Sequence, residues 1–130
     1  MANSCNFSLD IRQELAGIDS IHFTFYINKE KPLKVLFKDK HYRRNFVNSL
    51  SIENIDIDKK KLQKTGKIIF KKINVGIDLL EGNILTYKNQ FYFQFQFKQK
   101  EYIRQINKEG IEIIEFVQQF PEVAEGFRIL

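Results

Sequence analysis

Phe91, Phe93, Phe95 and Phe97 alternate with Tyr92, Gln94, Gln96 and Lys98. A period of two sends successive side chains to opposite faces of an extended chain. One face is therefore aromatic and the other polar, the pattern of a half-buried β-strand. The pattern predicts one long element over residues 88 to 104, with Lys88-Asn89-Gln90 as the turn before it and residues 82 to 87 as its hairpin partner. Alternation weakens at Gln99 and Glu101, and Ile103 rejoins the phenylalanine face on this register.

Other segments repeat the period. Ile21, Phe23, Phe25 and Ile27 predict a strand with His22, Thr24 and Tyr26 behind it, and Leu33, Val35 and Phe37 a second. Residues 67 to 78 read as a strand with apolar residues on both faces, either a central strand or one that changes sheet at a bulge near Lys71-Lys72, and Glu81-Gly82-Asn83 reads as a turn. Phe7 to Leu15 alternates too, though Ser8 and Gly17 would also frame a short helix.

Two stretches change period. Asp39 can cap a helix over residues 40 to 50 with Tyr42, Phe46, Val47 and Leu50 as its apolar stripe. Ile113, Phe116, Val117 and Phe120 sit at i, i+3, i+4 and i+7, and Pro121 can open a further turn. The expected fold is α+β: a curled antiparallel sheet or partly open β-barrel with one middle helix and a C-terminal helix. At 130 residues, a single domain over 1–130 is expected.

The 13 Phe and 5 Tyr supply an aromatic core. The single cysteine, Cys5, gives no disulfide framework and no thiolate zinc site. No charged-then-apolar leader and no apolar run near the length of a membrane span is present, so a cytoplasmic protein is expected by elimination. Residues 29 to 72 hold 14 Lys/Arg against 5 Asp/Glu, a net +9, whereas the rest hold 7 against 11, a net −4. An AT-rich coding bias would inflate Lys, Asn, Ile and Phe together, but it also favours Glu and does not explain this segregation. A basic middle in a mildly acidic chain suggests an anionic partner, nucleic acid or an acidic protein surface.

Lys38, Lys40, His41, Arg43 and Arg44, together with Lys59, Lys60, Lys61 and Lys64, are the candidates for a phosphate-tracking groove. Without a sequence-reading motif, such binding should be mostly to backbone. Tyr92, Gln94 and Gln96 form a second candidate surface, facing outward if the phenylalanines face in. They suit a protein-interaction domain: a complex subunit, a toxin-neutralising protein or a phage-type inhibitor. Such a domain could also self-associate.

The enzymatic alternative is thin. His22-Phe23-Thr24-Phe25 resembles one half of the motif of two-histidine phosphoesterases, whose acid–base pair needs a second copy. The other histidine, His41, is followed by Tyr42-Arg43 and does not supply it. Asp78 with Gln96-Phe97-Lys98 lacks the acidic residue that a metal nuclease core needs. No phosphate loop, dinucleotide fingerprint or zinc spacing is present, and no cofactor is expected. The sequence points to a non-catalytic binding module.

Overall fold

A computed structural model describes residues 10–27 and 30–125. The predicted strand or helix at residues 7 to 15 lies partly outside these residues, and Cys5, Phe127, Ile129 and Leu130 lie wholly outside them. The order is α1 (Ile11–Glu14), β1 (Ser20–Phe25), β2 (Leu33–Phe37), α2 (Lys40–Asn48), β3 (Leu50–Asn54), β4 (Gln63–Lys72), β5 (Ile77–Tyr87), β6 (Gln90–Phe97), β7 (Lys100–Ile106), α3 (Lys108–Gln119) and α4 (Pro121–Ala124). A 3₁₀ turn at Lys59–Lys61 precedes β4. The strands form one antiparallel sheet in the order β2-β1-β4-β5-β6-β7-β3, open at β2 and β3 rather than closed into a barrel.

The strand predicted over residues 88 to 104 is in fact a hairpin. Lys98 and Gln99 both have positive φ, 52° and 67°, and Phe97 pairs directly with Lys100. Two-residue loops of this left-handed kind match the twist of paired strands and usually carry Asn-Gly or Asp-Gly. Here neither turn residue is glycine, so residue type did not announce the turn. The reversal flips the parity: Tyr102, Arg104 and Ile106 face the side of Phe95, Phe93 and Phe91, while Ile103 joins Gln94 on the other side. Lys88 and Asn89 form the equivalent turn between β5 and β6, as expected.

The run at residues 67 to 78 is also two strands, reversing through residues 73 to 76 with Gly76 at φ 70°. Gly82 is not in a turn. It lies in mid-strand opposite Phe95, where a Cβ would collide with the Phe93 ring and the Gln94 carbonyl. The glycine is needed for close approach of an aromatic ring, not for bending the chain.

One face of the sheet carries the core. Phe23, Phe25, Phe37, Phe70, Phe93 and Phe95 are fully buried there. Their rings run as a near-continuous series: Phe70 meets Phe93 edge-on at 5.6 Å, Phe93 stacks on Phe95 at 5.1 Å, and Phe95 stacks on Tyr102 at 5.2 Å. Offset and edge-on pairs add to the gain from burial. α2 closes over this face, its first turn capped, as expected, by Asp39, whose carboxylate accepts from the Tyr42 amide at 3.0 Å. The helix ends at Asn48, and Leu50, expected in its stripe, instead opens β3. α3 packs beside α2, and α4, opening at Pro121, packs against β2. Tyr42 departs from its predicted place in the stripe and is 49% exposed, because α3 leaves a cleft beside it.

Among the described residues, the opposite face is mostly uncovered except where residues 55 to 62 cross it. Ile55, Ile57 and Leu62 pack there on Leu85, Tyr92 and Ile103. Replacing Phe95 by alanine should cost about 3–5 kcal/mol, the range for deleting a buried phenylalanine side chain. Gln96→Ala, one residue on and exposed, should change stability by no more than about 0.5 kcal/mol. Denaturant unfolding of the two variants checks the register, and similar small losses at both positions would contradict it.

Candidate functional site

The first turn of the described chain sets one wall of the site. Asp10 caps α1 by accepting from the Arg12 amide at 3.0 Å. The same carboxylate takes the Arg12 guanidinium in a forked pair, at 2.8 Å from Nε and 2.9 Å from Nη2. This pairing first and foremost holds the Asp10 carboxyl below its usual range and raises Arg12. Ile11 and Leu15 are buried, which seats α1 on the core and turns Arg12 outward.

The other wall is α2. Its helical period places Lys40, Arg43, Arg44, Val47 and Asn48 on one side, facing Arg12, Leu15, Ala16 and Ile18 across a cleft of about 350 Å³. Among the described residues, no carboxylate lies within ion-pairing distance of Lys40, Arg43 or Arg44. Arg43 donates from Nη1 to the Lys38 carbonyl at 2.5 Å, which steadies its stem along the helix. Lys72, at the end of β4, reaches the same corner: a Cβ on Gly17 would lie 2.8 Å from its ammonium.

Residues 16 to 19 join this cleft to the β4–β5 hairpin. The Asp19 amide donates to the Lys71 carbonyl at 2.9 Å. The Asp19 carboxylate accepts from the amides of Ile73 at 2.8 Å and Asn74 at 3.1 Å, and from Ser20 Oγ at 3.1 Å. Partial burial would raise its pKa, but these hydrogen bonds and the nearby Arg43 outweigh burial and hold it below the ordinary 3.8.

The remaining predicted basic residues do not join the cleft. α2 rests on the phenylalanine face through Phe46, whereas Lys59 ion-pairs with Glu101, two residues before Ile103 on the opposite face. The sheet thus separates Lys38, Lys40, His41, Arg43 and Arg44 from Lys59, Lys60 and Lys61, and the single groove expected from sequence is not formed. On the open face Lys67 pairs with Glu81 at 2.6 Å and Lys71 with Asp78 at 3.2 Å, while Lys34, Lys60, Lys61 and Lys64 have no ion pair among the described residues. Lys60 and Lys61 are exposed on the 3₁₀ turn, and the Lys64 ammonium sits 5.8 Å above the Tyr26 ring. His41 lies along the solvent side of α2, its Nε2 3.3 Å from Asn45 Nδ2.

The Tyr92 surface is also corrected. Tyr92 does face away from the phenylalanines, but the crossing segment buries it to 6% exposure. Gln94 is half-buried and occupied: its Oε1 accepts from Asn83 Nδ2 at 3.1 Å and its Nε2 donates to Glu101. Only Gln96 remains exposed. Periodicity gave the face correctly but could not show that a distant loop folds over it.

His22 lies on the open face between Leu36 and Ile69, across the sheet from His41. Burial, then Lys71 and Lys34, push its pKa down. The two histidines cannot act as an acid–base pair. Among the described residues, no group of three or more His, Cys, Asp or Glu could hold a metal ion. No helix of the described residues is long and apolar enough to cross a membrane.

Arg12 and Lys72 were missed as site residues. Arg12 sat in an apparent strand, and Lys72 is one lysine among many until the hairpin brings it to Gly17. Compared with known proteins, the chain matches no family model, no curated protein and no solved structure.

The pH behaviour of Asp19 tests the corner. A depressed carboxyl contributes stability above its unfolded pKa, and that contribution is lost as pH falls through the folded value. The backbone amide shifts of Ile73 and Asn74 should therefore titrate together in an NMR series, with a midpoint below 3.8. Asp19→Asn should abolish that step. A midpoint at or above the ordinary value would mean that the carboxylate does not hold the hairpin.

Proposed function

We propose that the protein is a non-catalytic binding module that holds the phosphate backbone of nucleic acid in the cleft between α1 and α2. Its main support is unbalanced charge. Lys40, Arg43 and Arg44 converge on one concave surface without ion-pair partners among the described residues, whereas the unpaired lysines of the open side, Lys34, Lys60, Lys61 and Lys64, line no common cleft with them. Unmatched cations near one another repel, so they lower the free energy most when an anion arrives. Guanidinium groups suit phosphate because their planar forks donate in pairs. Among the described residues the cleft offers no converging amide side chains beyond Asn48, so contact should be to backbone rather than to base edges. The rival reading, a protein-interaction surface built on Tyr92 and Gln94, loses support because both side chains are covered or occupied.

The test is a pair of double variants. Lys40→Gln with Arg44→Gln removes charge from the cleft, and both residues are exposed, so stability should change by no more than about 0.5 kcal/mol each. Affinity for single-stranded and duplex oligonucleotides should fall for every sequence. The slope of log affinity against log salt should become shallower by roughly 0.7–0.9 for each phosphate that the variant no longer neutralises. Lys60→Gln with Lys61→Gln, on the other side of the sheet, should alter neither. Nucleic-acid binding that is undetectable at low salt in the unmodified protein would sink the proposal, and an equal loss from the second pair would refute the assignment to the cleft.

A further inference from the structure

The β4–β5 hairpin outruns its neighbours. β1 pairs with β4 only as far as Ser20 opposite Lys71, and β6 meets β5 only from Gly82 onward. Neither neighbouring strand pairs with the tip. It carries Ile73, Val75 and Ile77, which are 41%, 59% and 47% exposed. Three neighbouring aliphatic side chains held in water at a strand end are unusual, since such tips favour polar turn residues.

The tip is also braced by hydrogen bonds and tied to the cationic cleft. Within the turn, Val75 and Gly76 donate their amides to the carbonyls of Lys72 and Ile73, each at 3.2 Å. Gly76 supplies the positive φ that closes it. Asp19 clamps the Ile73 and Asn74 amides from outside. Asp19 is the next residue after Ile18, which lines the cleft, and Lys72 lies against Gly17 at the same corner. Ile77 pairs with Lys72, so both lie toward the helix-covered side of the sheet, the side of the cleft.

We propose that this tip is an apolar wedge that enters a nucleic-acid duplex whose phosphates the cleft holds. The inference rests on the phosphate-binding reading of the cleft and adds what the bound duplex undergoes. Proteins that bend DNA insert Ile, Leu, Met, Phe or Pro between base steps beside basic residues, and the unstacking costs a few kcal/mol per step. A wedge whose backbone is ordered in advance loses less entropy on insertion, which is the service of the Asp19 clamp. A lipid surface fits the tip less well. Interfacial anchoring draws on a broad apolar face rich in Trp, Phe and Leu. The tip has three branched aliphatic residues and no ring, and its cations line a recess rather than a plane.

The experiment uses the full chain and a short duplex carrying a fluorescent adenine analogue that brightens on unstacking, with a donor–acceptor pair at its ends. Wild type should brighten the analogue and shorten the end-to-end distance on binding. Val75→Ser with Ile77→Ser, both at exposed positions, should lose both signals and several-fold of affinity while keeping the salt slope. Lys40→Gln with Arg44→Gln should instead flatten the slope. Wild-type binding without brightening, or a tip variant indistinguishable from wild type, overturns the wedge and leaves the cleft reading standing. Absence of binding at low salt overturns both. Tip-dependent co-sedimentation with phosphatidylserine-containing vesicles, with no duplex distortion, also overturns the wedge.

Discussion

Phe46 is the contact on which the helix side of the molecule depends. It is fully buried, meeting Phe23 edge-on at 5.3 Å and Phe70 at 6.3 Å. A single ring from α2 thus engages β1 and β4, which are neighbours in the sheet. Burying such a side chain stabilises the fold by roughly 1.5–3 kcal/mol, before the aromatic geometry is counted. With Phe46 pointing into the sheet, the helical period leaves Lys40 and Arg44 no choice but to face out. The cationic wall of the cleft is therefore a consequence of core packing as much as of charge.

The same sheet decides which lysines are neutralised. On its open face, cross-strand and crossing-segment neighbours bring Glu81 to Lys67, Asp78 to Lys71 and Glu101 to Lys59. Exposed pairs of this kind contribute little to stability. Their effect here is on the field, because they offset the charge of these three lysines. On the helix side Lys40, Arg43 and Arg44 have no ion pair among the described residues, although Arg43 acts on the nearby Asp19 carboxylate, and the three gather along one cleft wall.

Arg104 shows the cost and use of a buried charge. It is fully buried on the core face, with Nε donating to Asn54 Oδ1 at 3.1 Å and Nη1 to the Ser51 carbonyl at 3.2 Å. The Tyr102 ring lies 5.2 Å from its guanidinium carbon. Burial lowers its pKa, though a guanidinium stays charged at neutral pH. These bonds fasten β3 to β7 where their register is irregular.

Much of the fold was legible because it is local. The phenylalanine alternation fixed which residues of β6 share a face, Asp39 marked the start of α2, and the apolar spacing from Ile113 marked α3. Pro121 marked the next turn. What sequence did not reveal crosses from one element to another. The turn at Lys98-Gln99 has no glycine, and missing it inverted the parity of β7, which put Ile103 on the wrong face and hid Arg104 in the core. The basic residues formed one segment in the chain but two sites in space, because a sheet stands between α2 and the turn at residues 59 to 61. Tyr92 looked like a surface residue because alternation gives the direction of a side chain and not what lies above it. Local periodicity follows from backbone geometry. Burial and charge pairing depend on which distant segments meet, and for the cleft and the hairpin beside it only the tertiary structure supplied that.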